Sequence, residues 1–178
     1  GIPIIKIVRE ALVGNHIRSI YGIINGIDYD VWNPAIDAHL VERYDTASVS
    51  TGKAACKAAL QALSGLPTRD DAPLIGMITR LADQKGLDLV AAIAKDLLEE
   101  DLQFVVLGTG DPKYHELFQQ LARSHPNKVA AHLTFNDGLA HQIEAGSDMF
   151  LMPSRYEPCG LNQLYSLKYG TVPIVREV

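Results

Sequence analysis

Arg80 and Lys85 open the chemical reading of this sequence: they bracket a loop, Thr79-Arg80-Leu81-Ala82-Asp83-Gln84-Lys85-Gly86, that leads from an apolar run into a helical pattern. A helix amino terminus presents free backbone N–H groups and the positive end of its dipole, so two cations beside one suit a diphosphate. The same spacing also describes an exposed loop with two solvated charges. Gly108-Thr109-Gly110-Asp111 follows a second apolar run. Glycines there either let the backbone approach a ligand or make a tight strand-to-helix turn. The full dinucleotide fingerprint Gly-x-Gly-x-x-Gly is missing, because Lys113 stands where the third glycine belongs.

Pro153-Ser154-Arg155-Tyr156-Glu157-Pro158-Cys159-Gly160-Leu161 is the densest cluster, with a carboxylate, a thiol and a glycine in one turn. Glu157 suits contact with a neutral sugar hydroxyl or the steadying of a developing positive charge. Cys159 is a nucleophile only if its thiolate is favoured, and otherwise a small packing residue. Phe135, beside Asn136-Asp137-Gly138, is either an exposed ring able to stack on a base or a core aromatic.

Other chemistries find less support. The six histidines show no metal-ligand spacing, and the two cysteines, Cys56 and Cys159, lie too far apart for a zinc motif or a disulfide framework. No metal and no cofactor are expected. A net charge of -5 without any block of like charge gives no surface for nucleic acid or an anionic membrane. No apolar run is long enough to span a bilayer, and the opening Gly1-Ile2-Pro3-Ile4-Ile5-Lys6-Ile7 lacks the basic start of a signal peptide, so a cytoplasmic location is expected.

These loops need elements to hold them. Hydrophobic residues at 47% and charged residues at 21% are those of an ordinary folded protein, and 178 residues suffice for one core. From Leu74 onward, short apolar runs alternate with helical patterns, the signature of an α/β fold with a parallel sheet. Strands are predicted at Leu74–Thr79, Phe104–Leu107, Val129–Leu133, Met149–Met152 and Val172–Val175. Helices are predicted from Leu87 to about Glu100, from Pro112 with Asp111 as cap, around Leu139–Ala145 and over Leu161–Tyr169. Before them come a strand at Gly22–Ile24, a turn-rich stretch through Asn33-Pro34, an Ala-rich helix around Lys53–Leu63 and a linker, Pro67–Pro73. In open sheets of this kind, ligands sit outside the carboxyl ends of the strands, so the four loops after strands are the place to look.

Asn25-Gly26-Ile27-Asp28 with Trp32-Asn33-Pro34, Arg80-Leu81 with Gln84-Lys85-Gly86-Leu87, Leu107-Gly108-Thr109-Gly110-Asp111, and Glu157-Pro158-Cys159-Gly160-Leu161 with Tyr169-Gly170-Thr171-Val172-Pro173 occur in this order. Together they resemble the carboxyl-terminal half of bacterial glycogen synthases and plant starch synthases, over about Tyr21 to Arg176. The resemblance implies half of a GT-B fold, a Rossmann-like parallel sheet with helices on both faces. It also implies metal-independent transfer of glucose from ADP-glucose, with retention, to a 1,4-α-glucan. By the same resemblance, Arg80 and Lys85 hold the diphosphate and neutralise the leaving group, and Glu157 contacts the glucose. Gly160 and Leu161 present backbone N–H groups to the phosphates, and Phe135 lies against adenine. Asn25, Gly108, Thr109 and Gly110 face the same cleft, and Cys159 lines it.

Two stretches depart from the family pattern. Residues 1–20 form an atypical lead-in, and after Arg176 the family's Thr-Gly-Gly loop does not follow. The expected organisation is this lead-in followed by a donor-binding domain over residues 21–178, incomplete at its carboxyl-terminal end. The partners implied are the nucleotide sugar, the α-1,4-glucan acceptor and an amino-terminal GT-B domain, which in the family carries a Lys-Thr-Gly-Gly loop over the phosphates. Two other readings fit the residues: a catalytically silent or engineered nucleotide-binding scaffold, and a transferase using UDP-glucose.

Overall fold

The computed structural model describes residue 23 and residues 25–177. The lead-in of residues 1–20 lies outside the described residues, and of the strand expected over Gly22–Ile24 only Ile23 is described. Helix α1 spans Val49–Leu63 and precedes β1, Leu74–Ile78. A short 3-10 turn, Asp83–Lys85, leads into α2, Leu87–Glu99. Then follow β2 (Gln103–Leu107), α3 (Pro112–Ser124), β3 (Val129–His132), α4 (Asp137–Gly146), β4 (Met149–Met152), α5 (Leu161–Lys168) and β5 (Val172–Val175).

All pairings are parallel and the strand order is β3-β2-β1-β4-β5. The chain winds outward from β1 through β2 to β3, then crosses back to place β4 on the other side of β1. Helices cover both faces, which explains why β2 is buried along its whole length. Side chains alternate across the pleat. Ile75, Met77, Phe104 and Val106 pack with Leu87 and Val90 of α2 and Phe118 of α3, whereas Leu74, Val105 and Leu107 meet Leu60 of α1 and Leu139 and Ile143 of α4. Each such fully buried side chain contributes about 1.5–3 kcal/mol by leaving water. At Gly76 a Cβ would fall 2.7 Å from Ile143 Cγ2 and 2.3 Å from Ser147 Oγ, so the missing side chain lets α4 settle onto β1.

Several boundaries differ from the sequence expectation. Helix α1 begins at Val49, ahead of the Ala-rich stretch, because Gly52 lets Tyr44 pack directly on its first turns. Helix α4 begins at Asp137: the Asn136 side chain accepts from the Leu139 N–H at 3.0 Å and caps it, so Asp137 and Gly138 belong to the helix rather than to a loop. Asp111 occupies the cap position of α3, but its carboxylate makes no capping hydrogen bond. The linker Pro67–Pro73 is tied down. Gln61 on α1 donates to the Arg69 carbonyl at 2.8 Å, and Gln103 on β2 donates to that of Pro67 at 2.8 Å.

Trp32, from the Trp32-Asn33-Pro34 motif, lies stacked between two rings. It is 3.9 Å from His141 of α4 and 4.0 Å from Tyr165 of α5, within 8° of parallel to each. The segment before α1 is thereby pinned across both helices.

Candidate functional site

A cavity of about 450 Å³ opens over the carboxyl ends of β1, β2, β3 and β4. It sits where the strand order reverses between β1 and β4, the crevice in which parallel α/β sheets bind ligands. Of the eleven residues singled out from sequence, nine line it: Arg80, Lys85, Gly108, Thr109, Phe135, Glu157, Cys159, Gly160 and Leu161. Asn25 stands beside it, with its carbonyl 3.7 Å from the Cys159 thiol. Gly110 lies behind the lining, where a Cβ would approach the Leu81 carbonyl oxygen to 2.3 Å.

The glycine pair after β2 therefore answers to its neighbours. A Cβ on Gly108 would come within 1.9 Å of the Thr79 carbonyl oxygen. The turn is tight because the loops after β1 and β2 run side by side, bridged at Leu81 and Gly110.

Lys85 and Glu157, brought together from opposite sides of the switch point, form a hydrogen-bonded ion pair with side chains 19% and 15% exposed. Ser154 Oγ donates to the same Glu157 oxygen at 2.6 Å. Burial alone raises the carboxyl pKa, yet the hydrogen bonds from Lys85 and Ser154 and the charges of Lys85 and Arg80 outweigh it and hold Glu157 below the usual range. Glu157 is thus an anion at neutral pH, and its Oε2 accepts no hydrogen bond from the described residues. Lys85 keeps further N–H donors, since an ammonium has three. Among the described residues, Arg80 hydrogen-bonds only a neutral partner, Gln84 Oε1 at 3.0 Å, so no ion pair ties up its charge at the cavity wall.

The two loops are laced together. Gln84 accepts from the Arg155 N–H at 2.8 Å through its carbonyl and donates to the Tyr156 carbonyl at 3.3 Å through its side chain. Gly86, in the left-handed region at φ 68°, lies where a Cβ would stand 2.1 Å from the Pro153 carbonyl oxygen. At the far wall, Gly160 (φ 73°) caps α5, whose first N–H groups have no intrahelical acceptor. Phe135 is 85% exposed at the cavity edge, so it is not a core aromatic.

Sequence reading passed over three residues that build the site. Asn162 holds α5 to the end of β1 through a 2.9 Å bond to the Ile78 carbonyl oxygen, Ser154 orients Glu157, and Asn136 sets the start of α4 beside Phe135. Asn136 was legible as Asn-x-x-Leu before an apolar pattern. The other two make contacts far from themselves in sequence or within an irregular turn, and carry no local signal.

A family profile described as glycosyl transferases group 1 matches residues 63–178. The chain belongs to this family. Within it, the chain is 59% identical over 95% of its length to a glycogen synthase of Anaeromyxobacter dehalogenans (strain 2CP-C), and 54% identical over 94% to a glycogen synthase of Exiguobacterium sibiricum. In each case the chain spans 35% of the relative's length. Among solved structures, the catalytic domain of starch synthase IV from Arabidopsis thaliana, bound to ADP and acarbose, superposes with a TM-score of 0.84 at 37% identity. That match covers 93% of this chain and 34% of the starch synthase chain. Among the described residues, no helix is long and apolar enough to cross a membrane.

Proposed function

We propose that this chain is the donor-binding part of a cytoplasmic glycogen or starch synthase, which transfers glucose from ADP-glucose to a 1,4-α-glucan with retention. The observation that carries the reading is the convergence of Arg80, Lys85 and the Glu157 anion on one cavity at the β1/β4 switch point, in a chain so similar to glycogen synthases. Arg80 and a free Lys85 N–H face the diphosphate, with the first N–H groups of α5 (Leu161) behind them, and together they stabilise the negative charge that grows as the glucose–phosphate bond breaks. Glu157 holds the glucose hydroxyls through Oε2, and Lys85, bonded to both diphosphate and Glu157, couples the two halves of the donor. Phe135 offers its face to adenine. Gly108, Thr109 and Cys159 shape the wall, and Gly110 and Asn25 support it from outside the lining. The acceptor and the opposite face of the cleft belong to an amino-terminal domain that completes a GT-B fold around this one.

Calorimetric titration with ADP tests the reading. Saturable binding is expected, weakened in Arg80→Ala by about 1.5–3 kcal/mol, the worth of a charge-assisted hydrogen bond. Absence of saturable binding at millimolar ADP would remove the donor site, and parallel titrations with UDP separate the two nucleotide classes.

A further inference from the structure

His39, Asp137 and His141 come from segments about 100 residues apart and converge beside the first turn of α4, with their ligand-type atoms within 4.8 Å of one another. We propose that these three side chains form a binding site for a divalent transition-metal ion of the zinc class, at the edge of the donor cavity and separate from its chemistry.

The buried member is already dressed as a metal ligand. His141 and Asp37 have side chains 2% and 1% exposed, and His141 Nδ1 lies 2.7 Å from Asp37 Oδ2. With Nδ1–H donated to that carboxylate, Nε2 is the nitrogen left for a ligand. A carboxylate behind an imidazole is the arrangement that fixes the tautomer and raises the basicity of metal-binding histidines. Tyr169 Oη donates to the same Asp37 oxygen, and Trp32 stacks on the ring, so the imidazole cannot turn away. Asp37 also positions the second histidine, because its Oδ1 accepts the His39 N–H at 2.9 Å while Gln142 donates to the His39 carbonyl at 3.1 Å. One buried carboxylate thus organises both imidazoles.

The third ligand follows from the helix. Asp137 and His141 are four residues apart on α4 and therefore on one face. Gly138 leaves room for the His39 ring, whose Nδ1 would be 3.0 Å from a Cβ there. Ligand bonds of about 2.0–2.2 Å in a tetrahedral site put donor atoms roughly 3.4 Å apart. His39 and Asp137 are exposed and can close the remaining gap by side-chain rotation, whereas His141 stays fixed. Two imidazoles and one carboxylate suit zinc, cobalt or nickel over magnesium or calcium, and leave a fourth position for water.

The test titrates the untagged 178-residue chain with Zn²⁺ against a chromogenic chelator, and with Co²⁺ followed by visible absorption. One equivalent of each is expected to bind, with a tetrahedral Co²⁺ spectrum free of thiolate charge-transfer bands. The variant His39→Ala, at an exposed position and leaving the His141–Asp37 hydrogen bond in place, should lose at least tenfold in affinity and lose the Zn²⁺-dependent rise in thermal midpoint. No saturable uptake by the unmodified chain overturns the proposal. So does uptake that His39→Ala leaves unchanged, or a thiolate band that assigns the ion to Cys56 or Cys159.

Discussion

At the scale of single residues, glycines divide into those required by their backbone and those required by a neighbour. Gly65 is left-handed at φ 70° with nothing within 4 Å of a Cβ, while Gly86 combines φ 68° with the Pro153 carbonyl oxygen 2.1 Å away. Gly65→Ala should cost about 1 kcal/mol of left-handed strain, whereas Gly86→Ala should cost that and a further 1–3 kcal/mol of displaced backbone. Urea denaturation of both variants measures the difference, and equal losses would remove the Pro153 contact from consideration. The sequence carried the glycine motifs plainly, since Gly108 and Gly110 read as a turn or a close approach. What they approach was not legible, because the Thr79 and Leu81 carbonyl oxygens reach them only through the parallel run of two loops. Phe135 was likewise undecided between core and surface until the position of α4 was known.

At the scale of elements, α4 and α5 meet over a buried carboxylate. Glu144 receives the Ser166 hydroxyl at 2.8 Å on Oε2, while its Oε1 is buried without a hydrogen-bond partner among the described residues. Burial is the main influence and raises its pKa to about 8, with the Ser166 hydrogen bond and Lys53 pulling the other way. A carboxyl raised in the folded state binds more protons there than in the unfolded chain. Its contribution to stability is therefore full below the unfolded value near 4.5 and declines as pH rises toward about 8. The thermal midpoint should fall across that window, and Glu144→Gln should flatten the decline; an unchanged slope would acquit Glu144. Nothing in the sequence marks this residue, which sits on a helix whose apolar spacing alone was read. The strands were far easier to see. Runs such as Phe104 to Leu107 are continuous because both faces of the sheet are covered, whereas the early start of α1 depends on Tyr44 packing over Gly52, a contact no local propensity records.

At the scale of the whole molecule, the strand order puts the four loops that line the cavity on one edge of the sheet. The chain spans 35% of the length of a glycogen synthase of Anaeromyxobacter dehalogenans, so on the proposed reading glucose transfer to glycogen by these 178 residues alone should be negligible, even where ADP binds. An assay with radiolabelled ADP-glucose and UDP-glucose measures this, and appreciable turnover would show that one domain is enough. Alternation of strands and helices made the α/β class readable from sequence. The reversal between β1 and β4 was not, because strand order depends on which side of the sheet each crossover takes. The aromatic stack across the first segment, α4 and α5 has a further use. Trp32 is the molecule's sole tryptophan, so its emission comes from one place, between an imidazole and a phenol each about 4 Å away. The protein carries its own optical gauge, in which a shift of the His141 ring or a parting of the two helices is written directly into the colour and lifetime of a single fluorophore.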